Sequence, residues 1–148
     1  MTIVIIMTII WYMNKKMTRF YIVGGAALLL GGLIYLLLRP ASYVARLFPE
    51  YSWLKALRAQ LQWQWLDLLR YYFADYLWAL SLCSGLHILF APKRVGSFLC
   101  TGVTALYGAV LELLQFFGQI PGTGDLWDVV MFILAGLTAT IINEKKEK

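Results

Sequence analysis

The sequence predicts an all-α integral membrane protein: four transmembrane helices in a bundle, with an amphipathic interfacial helix between the first and second spans. Three observations carry this. Of 148 residues, 61% are hydrophobic and only 14% are charged, against about 25% charged in an ordinary soluble domain. Mean hydropathy is +0.69. Four stretches each offer roughly the 17–25 mostly apolar residues that cross a hydrocarbon core. The formal charge of +5 sits on residues that flank those stretches, as orientation signals do. Low charge density without a basic stripe argues against a nucleic-acid partner.

Residues 1–19 form a leading segment. Met1 to Met13 is apolar but short for a crossing, and Asn14-Lys15-Lys16-Met17-Thr18-Arg19 follows it. It reads as either an over-extended gene start or a surface-lying helix. A cleaved signal peptide fits less well, because no small-residue cleavage site follows the apolar core. The first span is Phe20 to Leu38, ending at Arg39-Pro40. Gly24-Gly25 and Gly31-Gly32 recur seven residues apart on it, a spacing that lets backbones approach closely in lipid.

A long loop follows. From Trp53 to Leu69 an ideal helix puts Trp53, Leu54, Leu57, Leu61, Trp65 and Leu68 on one face, with Gln64 intruding and Trp63 and Leu66 off it. That pattern suits a helix in the headgroup layer or one packed on top of the bundle. The second span is Tyr71 to Phe90, with Asp75 in its first turns and Pro92-Lys93-Arg94 after it. The third is Val95 to Phe117, with Glu112 and Gln115 in its last turns. Its Ala105 and Ala109, like Ala135 and Ala139 on the fourth, are further small-residue contacts. The fourth span is Leu126 to Ile142, opened by Asp125 and Asp128. Residues 20–142 are therefore one four-helix domain, and 143–148 a charged tail.

Lysine and arginine set the orientation. Lys15, Lys16, Arg19, Lys93, Arg94, Lys145, Lys146 and Lys148 fall on one side, close to span ends; Arg39, Arg46, Lys55, Arg58 and Arg70 share the long loop. The positive-inside rule is most reliable near span ends, so both termini are expected in the cytoplasm. Cys83 and Cys100 lie in apolar stretches without metal-ligand spacing and read as small hydrophobes. His87, near the cytoplasmic end of the second span, reads as a packing or interface residue. No nucleotide-binding glycine loop, zinc signature or serine elbow appears, so no catalytic residue, metal or cofactor is specified.

On this topology Asp75, Glu112, Gln115, Asp125 and Asp128 all reach one depth, on the extracytoplasmic side. Charge near hydrocarbon is costly and marks function by default. Glu112 and Gln115 are three apart and share a helix face, as do Asp125 and Asp128. The connection from Gly118 to Gly124 makes the third and fourth helices antiparallel neighbours, through a Pro121-Gly122-Thr123-Gly124 turn. The aspartates also have structural roles open to them. Asp125 suits a helix N-cap, and Asp128 in the first turn suits the helix dipole. Glu112 lies near a helix C-terminus, where the dipole disfavours it. A carboxylate there takes up a proton or finds a partner, and a cation or a hydroxyl-rich ligand would serve.

The run Asp75-Tyr-Leu-Trp-Ala-Leu, with Glu112-Leu-Leu-Gln115 and Asp125-Leu-Trp-Asp128, resembles the VanZ-like family of small bacterial membrane proteins, over roughly Arg39 to Ile142. The namesake of that family is associated with teicoplanin resistance, and most members have no established biochemical activity. The resemblance implies that Asp75, Glu112, Gln115, Asp125 and Asp128 are shared polar positions. Many members carry an arginine in the hairpin, where this chain has Pro121 to Gly124, and an asparagine where it has Phe132. The missing arginine removes an obvious counter-ion for Glu112 and favours an external partner or a proton.

The resulting expectation is a non-enzymatic protein of the bacterial cytoplasmic (inner) membrane. It would bind a membrane lipid, a lipid-linked cell-wall precursor or a lipoglycopeptide through the acidic cluster, as a single chain or as a homo-oligomer. The alternatives are an enzyme using paired carboxylates on a lipid-linked substrate and a small transporter. A through-path needs polar groups in the cytoplasmic half, where only His87 stands out.

Overall fold

A computed structural model describes residues 2–38, 52–61, 66, 69–90, 94–122 and 124–144. Every regular element among them is helical. Helix α1 is Thr2–Leu38, α2 is Ser52–Gln60, α3 is Ala74–Phe90, α4 is Arg94–Phe116 and α5 is Leu126–Glu144; a five-residue π-helical turn, Leu69–Phe73, leads into α3. Three segments are long and apolar enough to cross a membrane: Thr18–Leu38, Leu69–Phe90 and Gly96–Phe116. Helix α5 carries a shorter apolar run, Leu126–Ile142. Its position is given by packing against both α3 and α4.

One boundary differs from those expected. Helix α1 runs unbroken through the leading segment and the first span, because nothing in Asn14 to Arg19 is a strong helix breaker. In the loop the described helix is Ser52–Gln60, with Leu61 in a turn after it, and much of the remainder of the expected Trp53 to Leu69 helix lies outside the described residues. Its Trp53 and Leu57 are exposed, one turn apart. Leu66 is buried. Arg39, Pro40, Arg46, Trp63, Gln64, Trp65, Leu68, Pro92, Lys93, Thr123 and Lys145 to Lys148 lie outside the described residues.

Helix α3 is central and touches α1, α4 and α5. Its partnership with α1 is antiparallel and rung-like. Phe20 stacks on His87 at 4.9 Å, Tyr35 meets Trp78 edge-on at 5.9 Å, and Gly24 and Gly31 lie between them. A Cβ on Gly24 would sit 2.9 Å from Ser84 Cβ, and one on Gly31 would sit 3.4 Å from Leu77 and Trp78. Only the first glycine of each pair serves here: Gly25 and Gly32 have nothing within 4 Å of a Cβ. Apolar burial drives little helix association in lipid, so close backbone approach supplies dispersion contact instead.

Helices α4 and α5 use the same device with added hydroxyl bonds. The Phe132 ring lies on Gly108, where a Cβ would come within 2.7 Å of its Cδ1. Thr101 Oγ1 donates to Gly136 O at 2.9 Å and lies 2.8 Å from Thr140 Oγ1; Thr140 in turn reaches Ser97 O at 3.5 Å. Ala135 and Ala139 are fully buried, whereas Ala105 and Ala109 are only partly covered. The core is accordingly built of small residues with few large ones: Ala27, Leu77, Ala79, Leu80, Cys83, Cys100, Phe132, Ala135 and Ala139.

Candidate functional site: a braced acidic hairpin

The α4–α5 hairpin is built from local rules. Helix α4 ends in a Schellman-type cap: Gly118 N–H donates to Gln115 O at 2.9 Å and Gln119 N–H to Leu114 O at 2.8 Å, with Gly118 at φ +67°. Only glycine takes that conformation without steric cost. Gly124, at φ +61°, brings its Cα so near α4 that a Cβ would sit 2.9 Å from Phe116 N and Cα. Gln115 lies against Gly122, whose missing side chain leaves the room it needs.

Asp125 then caps α5. Its Oδ1 accepts the Trp127 N–H at 3.0 Å, and its carbonyl accepts the Asp128 N–H at 3.1 Å. This is the N-cap role the Gly-Asp-Leu sequence suggests.

Glu112 is 8% exposed. Its Oε2 accepts the Asp125 backbone N–H at 2.7 Å, and Gln115 Oε1 accepts the Gly124 N–H at 3.3 Å. Where the missing hairpin arginine favours an external partner or a proton, Glu112 has a partner within the chain, the backbone of the hairpin itself. It does sit near the C-terminal end of its own helix, but the N-terminus of α5 is brought against it. That helix end supplies both unsatisfied N–H groups and a favourable dipole. The pair three residues apart on α4 thus clamps two consecutive amides that lead into α5.

Two tyrosines tie the hairpin to the rest of the bundle. Tyr72, in the π turn before α3, donates to Asp125 Oδ2 at 3.2 Å. Tyr35, near the end of α1, donates to Asp75 Oδ1 at 2.6 Å. Asp75 and Asp125 both lie within electrostatic reach of Glu112, and Asp125 and Asp128 within reach of Tyr72. Asp75, Gln115, Asp125 and Asp128 are each half-buried. All five residues singled out in the sequence thus gather at one end of the bundle, with direct bonds joining Glu112 and Gln115 to the hairpin backbone. Among the described residues, no group of three or more His, Cys, Asp or Glu side chains is arranged to hold a metal ion.

Tyr35 and Tyr72 were not foreseen, although a signal existed. A phenol hydroxyl inside an apolar span must find an acceptor, and carboxylates are the strong acceptors at that depth. A π turn beside the cluster is a further mark, since such turns are frequent at functional sites.

The opposite end of the bundle is also more polar than His87 alone suggested. Ser84, Ser97, Thr104 and Thr140 are buried there with it. His87 Nδ1 lies 2.8 Å from Cys83 O, and Thr104 Oγ1 donates to Cys100 O at 2.9 Å. These bonds close within a helix or between neighbouring helices, as packing hydroxyls do in membranes. Tyr76, which donates to Thr138 Oγ1 at 2.9 Å, adds a polar contact between α3 and α5. Cys83 and Cys100 are free, buried thiols.

Comparison with protein-family models, curated proteins and solved structures returns no match for this chain.

Proposed function

We propose that the chain is a four-span protein of the bacterial cytoplasmic membrane, VanZ-like in kind, with both termini in the cytoplasm. On its extracytoplasmic face it holds the polar head of a membrane lipid, a lipid-linked cell-wall precursor or a lipoglycopeptide. The observation that carries this reading is the gathering of Asp75, Glu112, Asp125 and Asp128 from α3, α4 and α5 at one end of the bundle, with Tyr35 and Tyr72 bonded to two of them. Helix α5, with 19 residues, is about 28 Å long and serves as the fourth span. Helix α2 lies in the headgroup layer, its exposed Trp53 and Leu57 toward the acyl boundary and Lys55 toward phosphate.

The chemistry follows from the carboxylates gathered around the hairpin. Glu112 Oε2 and Gln115 Oε1 accept backbone N–H groups and fix the shape of the turn. Asp75, Asp125 and Asp128 stand half-buried around that turn and suit ammonium or hydroxyl groups on an amphiphile whose tail runs along the bundle. Ionised acceptors make hydrogen bonds roughly twice as strong as neutral ones.

The test is antibiotic susceptibility. Expression in a glycopeptide-sensitive bacterium should lower susceptibility to teicoplanin-type lipoglycopeptides more than to glycopeptides without an acyl chain. Asp128→Asn and Asp75→Asn, at equal membrane abundance, should remove the difference. An unchanged susceptibility, or full effect in both variants, would defeat the proposal.

A further inference from the structure

We propose that the α4–α5 hairpin is sunk to the acyl–glycerol boundary of the outer leaflet, where Glu112 and Gln115 stand in for the water its backbone does not reach. A ligand of the acidic cluster then enters sideways, from the leaflet. The inference rests on the four-span reading of the proposed function; it needs no ligand to be bound.

The first observation is where the backbone donors of the turn go. Phe117 N–H donates to Leu113 O at 3.0 Å, and Gly118 and Gln119 also donate to carbonyls of α4. Pro121 has no N–H to satisfy. Gly124 N–H goes to Gln115 Oε1 and Asp125 N–H to Glu112 Oε2. Trp127 and Asp128 both donate to Asp125. A helix end in water leaves such groups to solvent, whereas backbone at membrane depth must be satisfied by the chain itself. The amides of Gly124 and Asp125 precede α5 and have no carbonyl of their own helix to bond. Two side chains of α4 serve them, which gives a buried glutamate a purpose that an exposed turn would not need.

The second observation is the surface of the hairpin. Phe116 is 73%, Phe117 66%, Leu126 82% and Trp127 61% exposed, and none of residues 113–124 is charged. A contiguous apolar surface of this kind marks an interaction site. Its occupant follows from continuity. Leu106, Val110, Leu113 and Phe117 are all exposed at helical spacing, so one apolar stripe runs from the middle of α4 into the turn without a break. Lipid covers that stripe along the span, and the same lipid covers its end. Trp127 has the side chain favoured at the membrane–water boundary.

The helix lengths agree. From Val95, next to Arg94, to Phe116, α4 rises about 32 Å, against a hydrocarbon core of about 30 Å. From Ile142, next to Asn143 and Glu144, back to Leu126, α5 rises about 24 Å. Arg94 and Glu144 mark the same end of this antiparallel pair. Helix α4 thus just reaches the far edge of the core and α5 opens below it. The turn between them folds back onto α4, where Gly124 lies against Phe116.

The test is the depth of a nitroxide label on the full chain, in liposomes of phosphatidylethanolamine and phosphatidylglycerol. Depth is read from collisions with oxygen, which concentrates among acyl chains, and with a nickel chelate, which stays in water. Labels go on Phe117→Cys and Leu126→Cys, with the exposed mid-span positions Leu106→Cys and Leu134→Cys as references. The native thiols are buried, and the unsubstituted chain gives the background. Both hairpin labels should meet oxygen several-fold more often than the chelate, as the references do. A chelate-dominated signal at either hairpin site, with oxygen-dominated references, overturns the proposal and leaves the four spans standing. A chelate-dominated signal at Leu134→Cys overturns both. Few collisions with either reagent at the hairpin sites would mean that protein covers the turn, and also overturns the proposal. Hydrogen exchange tests the substitution for water: the peptide covering the turn should exchange about tenfold faster in Glu112→Ala with Gln115→Ala than in the parent, and an equal rate would refute that role. None of these readouts depends on antibiotic susceptibility.

Discussion

Replacing Glu112 separates its two roles, acceptor and charge. Its Oε2 takes the Asp125 N–H at 2.7 Å at a site 8% exposed, and hydrogen bonds to ionised groups contribute about 1.5–3 kcal/mol. Glu112→Ala deletes the acceptor and leaves the Asp125 amide without it at the end of α5, so the expected loss is about 2–3 kcal/mol. Glu112→Gln keeps a carbonyl at nearly the same place. It exchanges a charge-assisted bond for a neutral one, so the expected loss is about 1 kcal/mol or less. Reversible unfolding in bicelles measures both. The brace reasoning is refuted if the alanine variant unfolds like the parent. It is refuted equally if glutamine costs as much as alanine, since charge and not the acceptor would then hold the turn.

Other packing claims are open to the same measurement. Gly108→Ala pushes a methyl into the Phe132 ring, 2.7 Å from Cδ1, and should cost about 1–3 kcal/mol; pairing it with Phe132→Leu should recover most of the loss. Gly24→Ala meets Ser84 Cβ at 2.9 Å and should destabilise, whereas Gly102→Ala, with nothing within 4 Å, should stabilise α4 by up to about 1 kcal/mol through helix propensity. If the two behave alike, close approach at Gly24 is not what seats α1. Thr101→Val removes the bonds to Gly136 O and Thr140 and should cost about 1 kcal/mol, given about 0.6 kcal/mol per hydroxyl bond in a membrane bundle; an unchanged unfolding free energy would assign that interface to packing alone.

What could be read from the sequence was mostly local. The Asp125 cap and the glycine-rich reversal need only neighbours within a few residues, and both stand where expected. The Gly24/Gly31 repeat was visible, but which glycine of each pair faces α3 was not, because helical phase relative to a partner is a tertiary property. Tyr35–Asp75 and Tyr72–Asp125 link residues 40 and 53 apart, and nothing in a local window encodes that pairing.

The largest change concerns what the acidic cluster is for. Met from the sequence, Glu112 was the residue hardest to explain structurally and the aspartates were the easier ones. The geometry exchanges part of those roles. Glu112 and Gln115 are the α4 half of a clamp whose other half is the backbone entering α5, and Asp125 is both cap and anchor for Tyr72. Removing the acceptor at any of these three changes the shape of the turn before it changes any ligand. Asp128 sits in the first turn of α5, where the dipole favours its charge and where the clamp does not use it, and Asp75 joins from α3 through Tyr35. Binding is therefore best tested first at Asp128 and Asp75. Glu112→Gln serves as the variant that removes charge and keeps the turn, and a loss of phenotype in Glu112→Ala alone would report on the hairpin and not on recognition.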